Sequence, residues 1–167
     1  MKYSVVIPVF NEEANIGMLY RRMTGVLEGL SPDFELIFVN DGSRDKTLLL
    51  VKELAASDSR VRYIDLSRNF GHQIAVSAGL DASKGDRVVI IDADLQDPPE
   101  AIADLLAKWR EGYEVVYAVR HSREGEGWLK KWTASLYYRF LRRLSHIDLP
   151  LDAGDFRLLD RAVVEAL

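Results

Sequence analysis

The run Val88-Val89-Ile90-Ile91 leads into Asp92-Ala93-Asp94-Leu95-Gln96-Asp97, so a hydrophobic segment delivers two carboxylates two residues apart. On an extended backbone that spacing puts both on one side. Converging carboxylates without a cation repel and raise each other's pKa, whereas a hard divalent ion with oxygen ligands, Mg2+ or Mn2+, relieves the repulsion and can bridge to a diphosphate. A metal–diphosphate site is the chemistry this spacing favours. The competing reading is an acidic loop that caps the helix opened by Pro98-Pro99.

Three further segments carry polar groups at the ends of apolar runs. Pro8-Val9-Phe10-Asn11-Glu12-Glu13 brings an aromatic ring, an amide and two carboxylates to one turn, which could clasp a ligand. Equally, Asn11 could cap a helix while the two glutamates complement its dipole. In Val39-Asn40-Asp41-Gly42-Ser43, Asp41 could accept a hydrogen bond from a nucleobase N–H or a ribose hydroxyl, or could form an Asx-turn beside a glycine of positive φ. Ser67-Arg68-Asn69-Phe70-Gly71-His72-Gln73 offers Arg68 and amide donors to phosphate or ribose. His72 has no Ser or Cys nucleophile at a recognisable spacing and reads as an exposed loop histidine. Neither G-x-x-x-x-G-K-[ST] nor G-x-G-x-x-G occurs in these turns.

The elements that must position these groups follow from the apolar pattern. Short runs rich in Val, Ile, Phe and Tyr near residues 3–9, 34–39, 61–66, 87–91 and 114–119 read as strands buried on both faces, hence parallel. Helical spacing fills the intervals: Ile16, Leu19, Met23, Val26 and Leu30; Leu48, Leu49, Val51, Leu54 and Ala55; Ile74 to Leu80; Ile102 to Trp109. Asn11 is expected to cap the first helix and Ser43 or Asp45 the second, Pro98-Pro99-Glu100 to open the fourth and Gly112 to close it. Such alternation means an α/β fold with ligands gathered at the carboxyl ends of the strands. With 167 residues, 48% hydrophobic and 29% charged, the chain is sized for one globular domain. The absence of cysteine excludes disulfides, thiolate metal sites and cysteine nucleophiles.

Residues 120–143 hold seven basic and two acidic side chains, a net +5, so the rest of the chain carries −9 of the total −4. An acidic body disfavours extended nucleic-acid binding and leaves phosphate or an anionic lipid surface as the partner of the basic segment. Trp128, Trp132, Leu136, Phe140 and Leu144 recur every four residues along and just beyond it, with Lys130, Lys131, Arg139, Arg142 and Arg143 largely elsewhere around the helix. This basic amphipathic helix either packs on the core or lies at a membrane interface. No run approaches the roughly 18–20 apolar residues of a membrane span, and the apolar start broken by Pro8 predicts no signal peptide.

Val6-Ile7-Pro8-Val9-Phe10-Asn11-Glu12-Glu13, Val39-Asn40-Asp41-Gly42-Ser43, Arg68-Asn69-Phe70-Gly71, Asp92-Ala93-Asp94-Leu95-Gln96-Asp97-Pro98-Pro99 and Gly154-Asp155-Phe156-Arg157-Leu158 together resemble the family-2 nucleotide-sugar glycosyltransferases. The likeness is strongest to the polyprenyl-phosphate branch, the dolichyl-phosphate mannosyltransferases and bactoprenol glucosyltransferases. The resemblance implies a GT-A fold, a Rossmann-like three-layer sandwich around a mostly parallel sheet, and inverting transfer of a sugar to a lipid phosphate. By that likeness Pro8, Phe10, Asn11, Glu12, Asp41, Arg68 and Asp92 hold the nucleotide, and Asp92, Asp94 and Gln96 surround Mg2+ or Mn2+. Arg120 with Lys130 or Lys131 holds phosphate. Asp155 matches an acidic residue proposed as a base beside the acceptor, with Arg120 and Arg157 as its catalytic companions.

A phosphate monoester has a second pKa of about 6 and hardly needs a base, so Asp155 is equally suited to orienting Arg157 or the acceptor. The expectation is therefore one catalytic domain over 1–167 that stops short of acceptor-side and membrane segments, works at the cytoplasmic face of a membrane, and moves glucose from UDP-glucose to a polyprenyl phosphate. GDP-mannose-dependent mannosyl transfer and a non-catalytic nucleotide-sugar-binding module are the alternatives. Self-association stays open, and a flavodoxin-like or receiver-like domain would explain neither the Asp92 cluster nor the basic segment.

Overall fold

A computed structural model describes residues 2–119 and 153–167. The chain divides into two compact units, residues 1–117 with 155–167 and residues 118–154. The expected basic amphipathic helix, with Arg120, Lys130 and Lys131, lies outside the described residues.

In the first unit, β1 (Tyr3–Val9), β2 (Phe34–Asn40), β3 (Val61–Asp65) and β4 (Arg87–Ile90) alternate with α1 (Ile16–Leu30), α2 (Thr47–Ser57) and α3 (His72–Ala82). A 3-10 turn, Pro99–Ala101, then leads into α4 (Ile102–Arg110), followed by β5 (Val115–Val119), β6 (Ala153–Asp160) and α5 (Arg161–Ala166). The sheet order is β3-β2-β1-β4-β6-β5. β1 to β4 are parallel, with Val5 opposite Leu36 on one side and Val89 on the other. All seven residues of β1 and of β2 are buried, the continuous and mostly apolar burial expected of a sheet covered on both faces. α3 lies so close to β1 that a Cβ at Gly79 would collide with Val6.

The chain lays β2 and β3 on one side of β1, then returns to place β4 on the other. Strand order thus reverses between β1 and β4, and in an open α/β sheet the crevice at such a reversal, beyond the carboxyl ends of the strands, is where ligands bind. Phe10 and Glu12 follow β1, and Asp92 follows β4, one on each side of that point.

Several local expectations are corrected. α1 begins at Ile16 with Asn15 at its N-cap position, and Asn11 instead takes a left-handed backbone with φ 57°. Ser43 accepts a hydrogen bond from Asn11 N at 3.0 Å, whereas Asp45 Oδ1 receives Thr47 N at 3.0 Å at the start of α2. Leu27, not Val26, completes the buried stripe of α1. Gly112, at φ 104°, closes α4 as expected, with its N–H on Trp109 O at 2.9 Å. The apolar pattern predicts no strand where β6 lies. β6 runs antiparallel to β4, pairing Ile90 with Arg157 and Arg87 with Asp160, and buries Phe156 and Leu158.

The amino-terminal edge of the sheet, opposite the crevice, is locked by a buried carboxylate. Glu35 Oε1 accepts from Ser4 Oγ at 2.7 Å and Lys84 N at 2.9 Å, and Oε2 accepts from Arg62 at 2.9 Å. A buried charge is tolerated only when hydrogen-bonded and paired in this way.

Candidate active site

The turns after β1 and β2 hold one another. Arg44 N donates to Asn11 Oδ1 at 2.8 Å, Glu12 N to Thr47 Oγ1 at 2.7 Å, and Lys46 N to Glu13 Oε2 at 2.8 Å. Glu12 keeps its own carboxylate on Asn15 Nδ2 at 2.7 Å. Asn11 therefore braces the loop of α2 rather than capping α1, and its left-handed backbone suits that task because Asn tolerates φ above zero better than most residues. Phe10, just before it, stays 43% exposed at the rim of the crevice.

Asp41 is buried at the end of β2, with both carboxylate oxygens directed at the turn between β3 and α3. Gly42, at φ 69°, lets the two turns touch, since a Cβ there would stand 2.5 Å from the backbone carbon of Arg68. Arg68 itself is exposed and lies over the Phe70 ring at 4.7 Å.

Asp92 follows β4 directly, whereas Asp94 sits on a turn rather than on extended backbone, and the chain then passes through Leu95 at φ 61°. The turn is steadied by Gln96 N donating to Asp94 Oδ1 at 2.9 Å. Pro8, Phe10, Glu12, Asp41, Asp92 and Asp94 all line one cleft of about 400 Å3, joined by Asn69 and His72. The structure thus gathers six of the sequence-expected residues. Asn11, Arg68 and Gln96 do not line the cleft, and Arg120, Lys130 and Lys131 lie outside the described residues.

His72 corrects the sequence reading most. It is the first residue of α3, and its Nε2 lies 3.3 Å from Asp155 Oδ2 and 3.8 Å from Asp92 Oδ1. β6 brings Asp155 there, and Arg157 follows two residues on, with its Nε buried and without a hydrogen-bond partner. The signal available in the sequence was position: a histidine opening a helix at the carboxyl edge of a parallel sheet faces the crevice. Burial pushes the Asp92 carboxyl above its ordinary range; His72 opposes the shift, while the charges of Asp155, Asp94 and Asp97 add to it. Carboxylates so crowded suit a divalent cation, and the donor set, an imidazole with carboxylates, fits one.

A doubly wound sheet whose crevice joins an aromatic rim to an acidic floor defines the GT-A class of glycosyltransferases. The crystal structure of S. aureus TarS 1-349 superposes with a TM-score of 0.62 at 20% identity, covering 99% of this chain and 49% of that one. Its complex with UDP-GlcNAc gives 0.54 at 26% identity over 76% of this chain and 36% of that one. Residues 4–167 match the description of Glycosyl transferase family 2, and the chain belongs to that family. It is 52% identical over its full length to the uncharacterized glycosyltransferase YkcC of Bacillus subtilis (strain 168), covering 52% of that protein. It is 43% identical over 99% of its length to the prophage bactoprenol glucosyl transferase homolog of Escherichia coli (strain K12), covering 54% of it. The chain therefore spans about half the length of the curated relatives it matches. Among the described residues no helix is long and apolar enough to cross a membrane.

Proposed function

We propose that this chain is the donor-binding and catalytic part of an inverting, metal-dependent glycosyltransferase that moves glucose from UDP-glucose to a polyprenyl phosphate. The observation that carries the reading is the cleft itself, where Phe10 and Asp41 stand on one side of the strand-order reversal and Asp92 and Asp94 on the other. That span suits a nucleoside diphosphate, with the base near Phe10 and the charged phosphates near the carboxylates. The TarS complex with UDP-GlcNAc supports a uridine donor, and the bactoprenol glucosyl transferase name of the E. coli relative supports glucose and a polyprenyl acceptor.

In this reading Pro8, Phe10 and Glu12 hold base and ribose, with Asp41 supporting the wall behind them. Asp92 and Asp94 would hold Mg2+ or Mn2+, and such a cation would supply Lewis-acid stabilisation of the charge that develops on the departing diphosphate. An oxygen of the lipid phosphate attacks the anomeric carbon from the opposite face and inverts it. The phosphate is already ionised near neutral pH, so Asp155 and Arg157 orient the acceptor rather than deprotonate it. Arg120 with Lys130 or Lys131 holds the acceptor phosphate, and the basic segment rests on the cytoplasmic membrane surface.

Transfer of radiolabelled glucose from UDP-glucose to a short polyprenyl phosphate, with and without Mn2+, tests the proposal. Cation-dependent labelled lipid is expected. Donor binding with no transfer would make the chain a nucleotide-sugar-binding module, and tighter binding of GDP than of UDP would replace glucose with mannose as the expected sugar.

A further inference from the structure

We propose that His72 is a positioning residue of the acceptor side, its imidazole holding the Asp155 carboxylate in the direction from which that carboxylate orients the lipid phosphate. This rests on the reading of Asp155 as an acceptor-orienting group and supplies the group that orients it in turn.

Asp155 needs such a partner. It lies two residues outside the stretch of β6 that pairs with β4, Arg157 to Asp160, and its side chain is 40% exposed. A carboxylate so placed has several rotamers open to it unless a neighbour holds one. Among the described residues His72 is the only basic side chain within ion-pair distance, its Nε2 standing 3.3 Å from Asp155 Oδ2. Arg157, two residues on, makes no ion pair with it.

His72 is itself well anchored. It opens α3, and the two N–H groups of the backbone just before it, those of Phe70 and Gly71, donate to the buried Asp41. Nε2 is shielded from water, so a carboxylate is the acceptor left to it. Asp92 Oδ1 lies 3.8 Å from the same atom, which therefore stands between a donor-side and an acceptor-side carboxylate and lessens their repulsion. At 3.3 Å the contact with Asp155 is long for a hydrogen bond, and catalytic contacts of this kind tighten when substrate is bound.

The Nε2–H tautomer and the imidazolium both carry a proton at that atom, so the contact asks for no change of charge. An N–H turned to Asp155 leaves the diphosphate side of the cleft to Asp92 and Asp94. In-line attack on the anomeric carbon depends on where the acceptor oxygen stands, and a misplacement of about 1 Å can cost about 100-fold in rate. Holding Asp155 to one rotamer is the contribution an imidazole fixed at a helix start can make without touching the acceptor.

The experiment has two arms on the full chain. Imidazole 15N–1H correlation spectra, with His72 assigned apart from His121 and His146, should show a proton on His72 Nε2 and a resonance that shifts in Asp155→Asn. An Nε2 without a proton, or a resonance indifferent to Asp155→Asn, overturns the inference, and neither result needs a His72 variant to fold. Transfer from UDP-glucose to a short polyprenyl phosphate then reads the role. His72→Phe should lower kcat/KM for the acceptor by about 10–100-fold, the worth of a hydrogen bond to a charged group, with a smaller effect on UDP affinity. His72→Gln, whose amide presents an N–H, should recover part of that loss. In the Asp155→Asn background His72→Phe should add little, because residues that act through one contact are not additive. Losses that multiply in full, or a loss of UDP affinity equal to the loss in transfer, would remove His72 from the acceptor side. A wild-type chain that transfers nothing while its Nε2 proton answers to Asp155 sinks the transfer reading and leaves the positioning contact standing.

Discussion

Asp41 Oδ2 accepts a hydrogen bond from Gly71 N at 3.0 Å, and the same carboxylate takes Phe70 N on Oδ1 at 2.7 Å. Gly71, at φ 100°, occupies the N-cap position of α3, directly before His72. One side chain at the end of β2 therefore fixes where α3 begins and where the imidazole enters the crevice. A carboxylate has lone pairs beyond these two, so contact with a nucleobase or ribose is compatible with the clamp.

Replacing Asp41 with Ala leaves two backbone N–H groups without their acceptor, a loss of about 1–3 kcal/mol. Urea unfolding should show this loss, and the amides of Phe70 and Gly71 should exchange faster with solvent than in the wild type. Unchanged exchange at both amides would mean that the turn is held by its own backbone and that the clamp is incidental.

What could be read from the chain and what could not follow a physical line. β1 and β2 were legible because every residue is buried and apolar runs of that length have few other solutions. β6 was not, since only Phe156, Leu158 and Leu159 mark it among Asp155, Arg157 and Asp160, and its pairing with β4 depends on residues far away in sequence. The acidic turn after β4 was legible by composition, but its shape was not: Leu95 in a left-handed conformation is imposed by the surrounding fold and has no signal in residue type. His72 lacked a local partner in sequence because both carboxylates it faces arrive on other elements. The role of Asn11 has no local signal for the same reason, its partners Ser43 and Arg44 lying across a crossover.

Asp94 is exposed at the cleft and accepts a hydrogen bond from the Gln96 N–H of its own turn. Asp94→Ala should leave the fold intact, with stability within about 0.5 kcal/mol of wild type, while weakening the Mn2+-dependent part of UDP binding. Calorimetric titration with UDP, with and without Mn2+, measures that part directly. Equal affinities for the variant and the wild type under both conditions would remove Asp94 from the phosphate site.

Phe10 lines the cleft with nearly half of its surface open, an arrangement with no stability gain to explain it. Stacking of a base on an aromatic ring contributes about 1–3 kcal/mol. Phe10→Ala should therefore lower UDP affinity roughly 5–150-fold without lowering the unfolding midpoint. Uridine binding unaffected by the substitution would place the base elsewhere in the cleft.

Glu35 predicts how stability changes with acid. Burial pulls its carboxyl toward a higher pKa, but the hydrogen bonds from Ser4, Arg62 and Lys84 N, with the charge of Lys2, outweigh it and hold the group below its ordinary range. In the unfolded chain the same carboxyl titrates near about 4.3. A depressed folded value means that the fold favours the charged form, so the stabilisation is present above the unfolded value and is lost as pH falls through it toward the folded one. Glu35→Gln removes that linkage and lowers stability at pH 7 by about 1–3 kcal/mol. Urea midpoints collected from pH 7 downward should start apart and converge as the wild-type carboxylate is protonated. Curves that stay parallel over that range would mean that the neutral acid is held as well as the anion, and that the lock at this edge of the sheet does not depend on charge.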